Sequence, residues 1–242
     1  MLLLIALSGG AAAAWHYRAT WVTAVQSQAA ELQRKFAVAP TSGPASRPIA
    51  ANTPKRTTEK LWELRDRRAY SEMTAWIVPE RAKATTDLLA AVDIFLLAER
   101  QLRDHVRDNV GSGLRDAIDL STFGEHLDVF STNTELLDEI IAGDAAQVTY
   151  WVNGRLPRRI ANFVRGGGDR WLYDPGPGDH PDLPRAFRAL ADGLRQTFLD
   201  LKSGRIDAGR VRAEPQYLAM ELSERLAPGL RLFPRPNERK SP

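Results

Sequence analysis

The 242-residue sequence predicts an α+β fold. Two patterns carry the expectation. Apolar residues recur every three or four positions across residues 57–110 and 183–226, and they alternate with period two between turn signals across 136–172. The first pattern is one face of a helix and the second is one face of a strand. Together they predict N-terminal helices and one long helix packed on an antiparallel sheet, followed by a C-terminal helical appendix; the apolar, charge-free start of the chain adds an N-terminal membrane helix ahead of them. The corresponding segments are 1–36 (membrane anchor or signal segment with a juxtamembrane helix), 37–56 (Pro/Ala-rich linker), 57–178 (α+β domain), 179–233 (helical extension) and 234–242 (disordered tail).

Residues 1–17 read MLLLIALSGGAAAAWHY and contain no Asp, Glu, Lys or Arg. A removable signal peptide starts with basic residues, which are missing here, although Leu2–Leu7 and Ala12–Ala13–Ala14 suit its core and cleavage site. A spanning helix takes about 20 apolar residues, with about 17 as the lower limit. Trp15, Tyr17 and Trp21 suit an aromatic belt at the membrane surface. An uncleaved anchor is favoured over a cleaved signal. The anchored domain is expected on the extracytoplasmic side, yet Arg18, Arg34 and Lys35 all follow the apolar run, and the positive-inside rule would keep the domain cytoplasmic. Val22, Val25, Ala29, Leu32 and Phe36 then lay one apolar stripe on a helix from about residue 20 to 36. The following stretch, with Pro40, Pro44, Pro48 and Pro54 among small polar residues, buries too little surface to order itself and reads as a tether.

Thr57 or Thr58 suits the N-cap of a first helix carrying Leu61, Trp62 and Leu64, and a short helix with Met73, Trp76 and Ile77 follows, ending at Pro79. The longest helical stripe runs from Arg81 to Val110 through Leu88, Val92, Phe95, Leu96, Leu102 and Val106, with Gly111 as its stop. From Leu136 the segments LLDEIIA, AAQVTYWV, LPRRIANFV and RWLY lie between Gly143–Asp144, Asn153–Gly154 and Gly166–Gly168. Asn153–Gly154 suits a two-residue hairpin turn in which both central residues take positive φ. Ala146, Val148, Tyr150 and Val152 alternate with Gln147, Thr149 and Trp151, so the strands form a meander packed on one face. After a Pro/Gly connector, Leu183, Phe187, Leu190, Leu194, Phe198 and Leu201 make a helical stripe ended by Gly204. A last helix starts at Glu214–Pro215 and is expected to stop at Pro228–Gly229.

The net charge of +3 invites a nucleic-acid reading that its distribution opposes. Residues 1–56 hold six basic groups against one acid, residues 57–144 hold 10 against 18, and residues 145–242 hold 17 against 11. The basic excess thus sits beside the membrane segment, where it suits anionic lipid, and the two halves of the folded part are oppositely charged. Arg155, Arg158, Arg159, Arg165 and Arg170 crowd the meander near Trp151 and Trp171, a combination that can stack nucleic acid or an anionic glycan. Pairing with the acidic half is preferred, and nucleic acid is not an expected partner.

The chain has no cysteine, which excludes disulfides, zinc–thiolate sites and a thiol nucleophile. Its four histidines, His16, His105, His126 and His180, show no metal-binding spacing, and no phosphate-binding glycine loop or nucleophile elbow is present. No metal and no cofactor are expected.

The segment IIAGDAAQVTYWVNGRLPRRIANFVRGGGDRWLYDP resembles the last three strands of the nuclear transport factor 2-like (SnoaL-like) superfamily, through Gly143, Asp144, Ala146, Val148, Phe163, Val164, Asp169 and Trp171. RRAYSEMTAWIVPE is similar to its second helix, ending at Pro79–Glu80. The resemblance covers residues 58–175 and implies a curved, cone-shaped sheet whose interior can hold a ligand or an active site. If that cone is catalytic, His126, Asp128, Tyr70 and Tyr150 are the candidates for a general base and its phenol partner, and Asp93 is the acid set within the apolar stripe of the long helix. Trp76, Phe95, Tyr150 and Phe163 are the candidates to line a ligand site. The favoured reading is a membrane-tethered, non-enzymatic domain that binds a ligand or an envelope protein. The alternatives are a SnoaL- or ketosteroid-isomerase-like enzyme and a structural module that homodimerises through its sheet.

Overall fold

The computed structural model describes residues 52–111, 120, 127–176 and 181–233. The expected anchor, juxtamembrane helix, most of the linker, His126, His180 and the tail from 234 lie outside the described residues. Among the described residues the fold is α+β, with six α-helices and a four-stranded antiparallel sheet. No helix there is long and apolar enough to cross a membrane. The chain divides into two compact units: 52–86 with 127–176, and 87–111 with 181–233.

The sheet unit opens with α1 (Pro54–Asp66). Its N-cap is Thr53, whose hydroxyl accepts from the Arg56 amide at 3.3 Å, and Pro54 occupies the first turn. Thr57 and Thr58, the expected caps, are instead buried one turn inside the helix. A proline needs no amide partner in the first turn and carries a φ already helical, so the helix starts earlier than its first apolar residues suggest. Thr58 donates its hydroxyl to the Pro54 carbonyl (3.0 Å), and Thr57 donates to the Trp171 carbonyl (3.3 Å), joining the helix to the last strand. The short helix α2 (Tyr70–Met73) runs directly into a 3-10 turn (Thr74–Trp76). Ile77 and Val78 then lie extended beside the last strand, where the Val78 amide donates to the Tyr173 carbonyl (3.0 Å).

The sheet has the simple order β1 (Thr134–Ala142), β2 (Ala145–Val152), β3 (Arg155–Arg165) and β4 (Trp171–Asp174). Asn153 and Gly154 take φ of 55° and 63°, the left-handed pair that a tight hairpin needs. Along β2 the burial alternates as the sequence predicts, with Ala146, Val148, Tyr150 and Val152 inside. On β3 and β4 the buried positions are Ala161, Phe163, Trp171 and Tyr173. In register, Tyr173 faces Phe163, so both phenyl rings share the core face.

The helical unit takes residues 87–109 of α3 (Pro79–Asn109), followed after the sheet by α4 (Leu183–Ser203), α5 (Ala208–Ala213) and α6 (Pro215–Leu230). The stripe expected on α3 is buried at Val92, Phe95, Leu102 and Val106, and Phe95 meets Phe187 edge-on at 5.6 Å. Gly204 ends α4 at φ 76°. The short α5, capped by Asp207 accepting from Gly209 (2.7 Å), is absent from the sequence expectation. The last helix runs through Pro228 to Leu230 instead of stopping there. A proline so near the C-terminal end removes one amide from a helix with few turns left to disrupt, and Gly229 packs against Leu190 of α4 where a side chain would not fit. Arg212 donates to the Val110 (2.6 Å) and Asn109 (2.8 Å) carbonyls, satisfying oxygens that the end of α3 leaves open.

Candidate functional site: an acid held by two phenols

Asp128 opens a 3-10 turn (Asp128–Phe130) ahead of β1 at φ 53°, a conformation that Asp tolerates better than most residues. The turn is tied at several points. Ser131 donates its hydroxyl (2.7 Å) and its amide (3.1 Å) to the Asp128 carbonyl, and Leu127 donates its amide to the Ser131 hydroxyl (3.1 Å). From α1, Trp62 donates to the Val129 carbonyl at 2.9 Å, and the Arg65 guanidinium donates to the Phe130 carbonyl.

Into this turn the sheet sends two tyrosines. Tyr150 of β2 donates to Asp128 Oδ1, and Tyr173 of β4 donates to Oδ2. Both tyrosines are 1% exposed, although Asp128 as a whole residue is only half-buried. Strand periodicity explains the convergence: 150 and 173 both fall on the core face of the meander, two strands apart. Phe130 meets the Tyr173 ring edge-on (5.4 Å), and Phe163 lies tilted beside it (5.7 Å). Arg159, paired with Tyr150 across the ladder, hydrogen-bonds the phenol.

The electrostatics follow from the enclosure. Burial raises the Asp128 pKa above the usual carboxylate value, opposed by the two phenol hydrogen bonds, the Arg159 charge and the Val129 amide. Burial likewise pushes both phenols well above 10, and the Asp128 carboxylate pushes them further. Arg159 works against that shift at Tyr150, while Tyr150 and Asp174 add to it at Tyr173. Phenols with raised pKa are reluctant acids, and the arrangement suits two neutral donors around one acceptor.

Of the sequence candidates, Asp128 and Tyr150 are brought together. Tyr70 opens α2, half-buried, and is not one of the phenols on Asp128. Asp93 lies half-buried on α3 in the helical unit. Trp76, Tyr150 and Phe163 belong to the sheet unit and Phe95 to the helical unit. Tyr173 and Arg159 escaped sequence reasoning. The alternation of Trp171 and Tyr173 within RWLY placed both on one face, but not which loop that face meets.

The helical unit has its own polar node. Asp200, buried on α4, accepts from Gln196 (2.9 Å), Arg205 (3.1 Å) and Arg225 (2.5 Å), and Arg225 also donates to Glu221 (2.9 Å). The hydrogen bond from Arg225 is the chief cause of a lowered Asp200 pKa. On α3, Glu99, 3% exposed, pairs with Arg103 at 3.1 Å. Among the described residues no group of three His, Asp or Glu side chains could hold a metal ion. No protein-family model matches the chain, and no curated protein and no solved structure matches it either.

Proposed function

We propose that the chain is a membrane-tethered, non-enzymatic domain that binds a ligand or an envelope protein, on the plan of the nuclear transport factor 2-like superfamily. The cone of that plan, the extracytoplasmic placement and the N-terminal anchor are parts of the same proposal. The observation that carries the non-enzymatic reading is the closure of the acid–phenol cluster. Both carboxylate oxygens of Asp128 are occupied, and the phenols that occupy them are almost wholly buried. A general base needs access for a substrate proton, and two buried phenols crowd both oxygens of this acid, which ties a loop to the sheet. The helix-then-meander order and the apolar, charge-free residues 1–17 support the remaining parts.

One observation favours the enzyme reading: a carboxyl of raised pKa flanked by two tyrosines contains the groups that proton abstraction beside a carbonyl would use. Deuterium wash-in from heavy water into a β,γ-unsaturated cyclic ketone separates the two. The proposal expects exchange no faster than in buffer. Exchange above buffer that disappears in Asp128→Asn would establish the enzyme instead.

A further inference from the structure

The two ends of the meander differ in what their arginines surround, although each end has arginines with no carboxylate partner among the described residues, Arg170 lying over the Trp76 ring at 5.9 Å. At the end where β3 runs into β4, Arg165 lies near Asp144 (3.6 Å), pairs with Asp169 and covers the Trp171 ring at 4.6 Å. At the other end, the β2–β3 hairpin exposes four successive residues, Arg155, Leu156, Pro157 and Arg158. The ladder pairs Val152 with Arg155 and Tyr150 with Arg159, so three residues of β3 oppose one of β2 and the intervening segment bulges out of the sheet. Leu156 rides on that bulge with 78% of its surface in solvent, the most exposed large apolar side chain among the described residues. Arg158 reaches back over the Trp151 ring at 5.6 Å. Neither Arg155 nor Arg158 has a carboxylate partner among the described residues. The closest acid in register is Glu135, opposite Trp151 on β1, while Arg159 sits by the Tyr150–Asp128 bond.

The hairpin tip thus combines a protruding aliphatic pair, Leu156 and Pro157, with two flanking arginines that no carboxylate neutralises among the described residues. We propose that this hairpin tip docks on an anionic lipid surface, with Leu156 and Pro157 entering the acyl boundary and Arg155 and Arg158 at the headgroups. Two features select lipid as the occupant. The protruding group is aliphatic, which suits hydrocarbon, whereas a single-stranded nucleic acid selects exposed aromatic faces, and the one at hand, Trp151, is covered by Arg158. Cations around an inserted aliphatic residue are the arrangement by which peripheral elements hold anionic bilayers, each arginine contributing about fivefold to partitioning. The inference rests on the tethered reading, since a bilayer anchored through residues 1–17 keeps the tip within reach of its lipid.

The absence of cysteine makes the test clean, because one introduced thiol takes the only label. The full chain carrying Leu156→Cys, labelled with an environment-sensitive fluorophore, is reconstituted in vesicles of phosphatidylcholine alone or with phosphatidylglycerol. Ala12→Cys, in the apolar segment, reports the anchor in parallel. The proposal expects the hairpin label to shift to the blue and to be quenched by lipid-borne nitroxides only in the anionic vesicles. Removing either Arg155 or Arg158 is expected to cut the docking equilibrium constant about fivefold, and reversing both is expected to abolish docking. A hairpin label that stays in water while the Ala12→Cys label is buried overturns the docking and leaves the tether standing. A buried hairpin label beside an aqueous Ala12→Cys label supports docking and sinks the tether. If both labels remain in water, both readings fail. A blue shift with a single-stranded oligonucleotide and none with either vesicle identifies nucleic acid as the occupant and overturns the proposal.

Discussion

The polar chemistry of the sheet unit centres on Asp128, and its titration has a definite sign. The folded-state pKa of Asp128 is raised, so between the ordinary carboxylate value and that raised value the folded chain holds a proton that the unfolded chain has lost. Stability from this group therefore falls as pH rises through that window, by at most about 1.4 kcal/mol per pH unit. Asp128→Asn is expected to flatten the fall, read as the urea midpoint of tryptophan fluorescence against pH. That probe suits the unit, since Trp62, Trp76, Trp151 and Trp171 all lie in it. The phenols act in the same direction at the alkaline end. Tyr150 and Tyr173 keep their protons above pH 10 when folded, so a second fall in stability is expected there. The sequence made half of this cluster legible. Asp128 and Tyr150 stood out as an acid near a strand and a phenol on its apolar face, but the partnership with Tyr173 depends on which strands flank the turn, and spacing along the chain does not encode that.

At the scale of elements, the legible features were those with a strong period. The α4 stripe, the β2 alternation and the Asn153–Gly154 turn all occur where the residues place them. The short α5 presents too few turns for a period to emerge, and the start of α1 depended on Thr53 and Pro54, which composition assigned to the tether. The meeting of α4 and α6 was equally hidden. It depends on Gly193, where an added Cβ would stand 2.7 Å from the Arg225 carbonyl oxygen. Gly193→Ala would gain about 1 kcal/mol of helix propensity, but the obstacle is backbone and cannot swing aside. A net loss of about 1–3 kcal/mol is therefore expected, read by far-UV circular dichroism in urea. Gly167→Ala is the comparison, because nothing lies within 4 Å of its added carbon. Its effect should stay within about 0.5 kcal/mol.

At the scale of the whole molecule, the enclosed acid–phenol cluster is proposed to hold the sheet unit together and not to turn over a substrate. Anchors and active sites respond oppositely to removal. Groups poised for catalysis are kept at some cost to stability, so replacing them tends to stabilise the protein, whereas a buried acceptor that loses its donor costs about 1–3 kcal/mol. The proposed tether has a test of its own. Protease protection of intact cells with N-terminal sequencing is expected to find residues 1–17 retained and the domain outside the cytoplasm; a cleaved N-terminus would remove the anchor from the account. The most direct measurement is the urea unfolding of the full chain, followed by tryptophan fluorescence, for Tyr150→Phe, Tyr173→Phe and the double variant. Each single change is expected to lose about 1–3 kcal/mol, with a double loss that departs from their sum because both phenols share one carboxylate. Unchanged or increased stability in both single variants would contradict the proposed anchoring role.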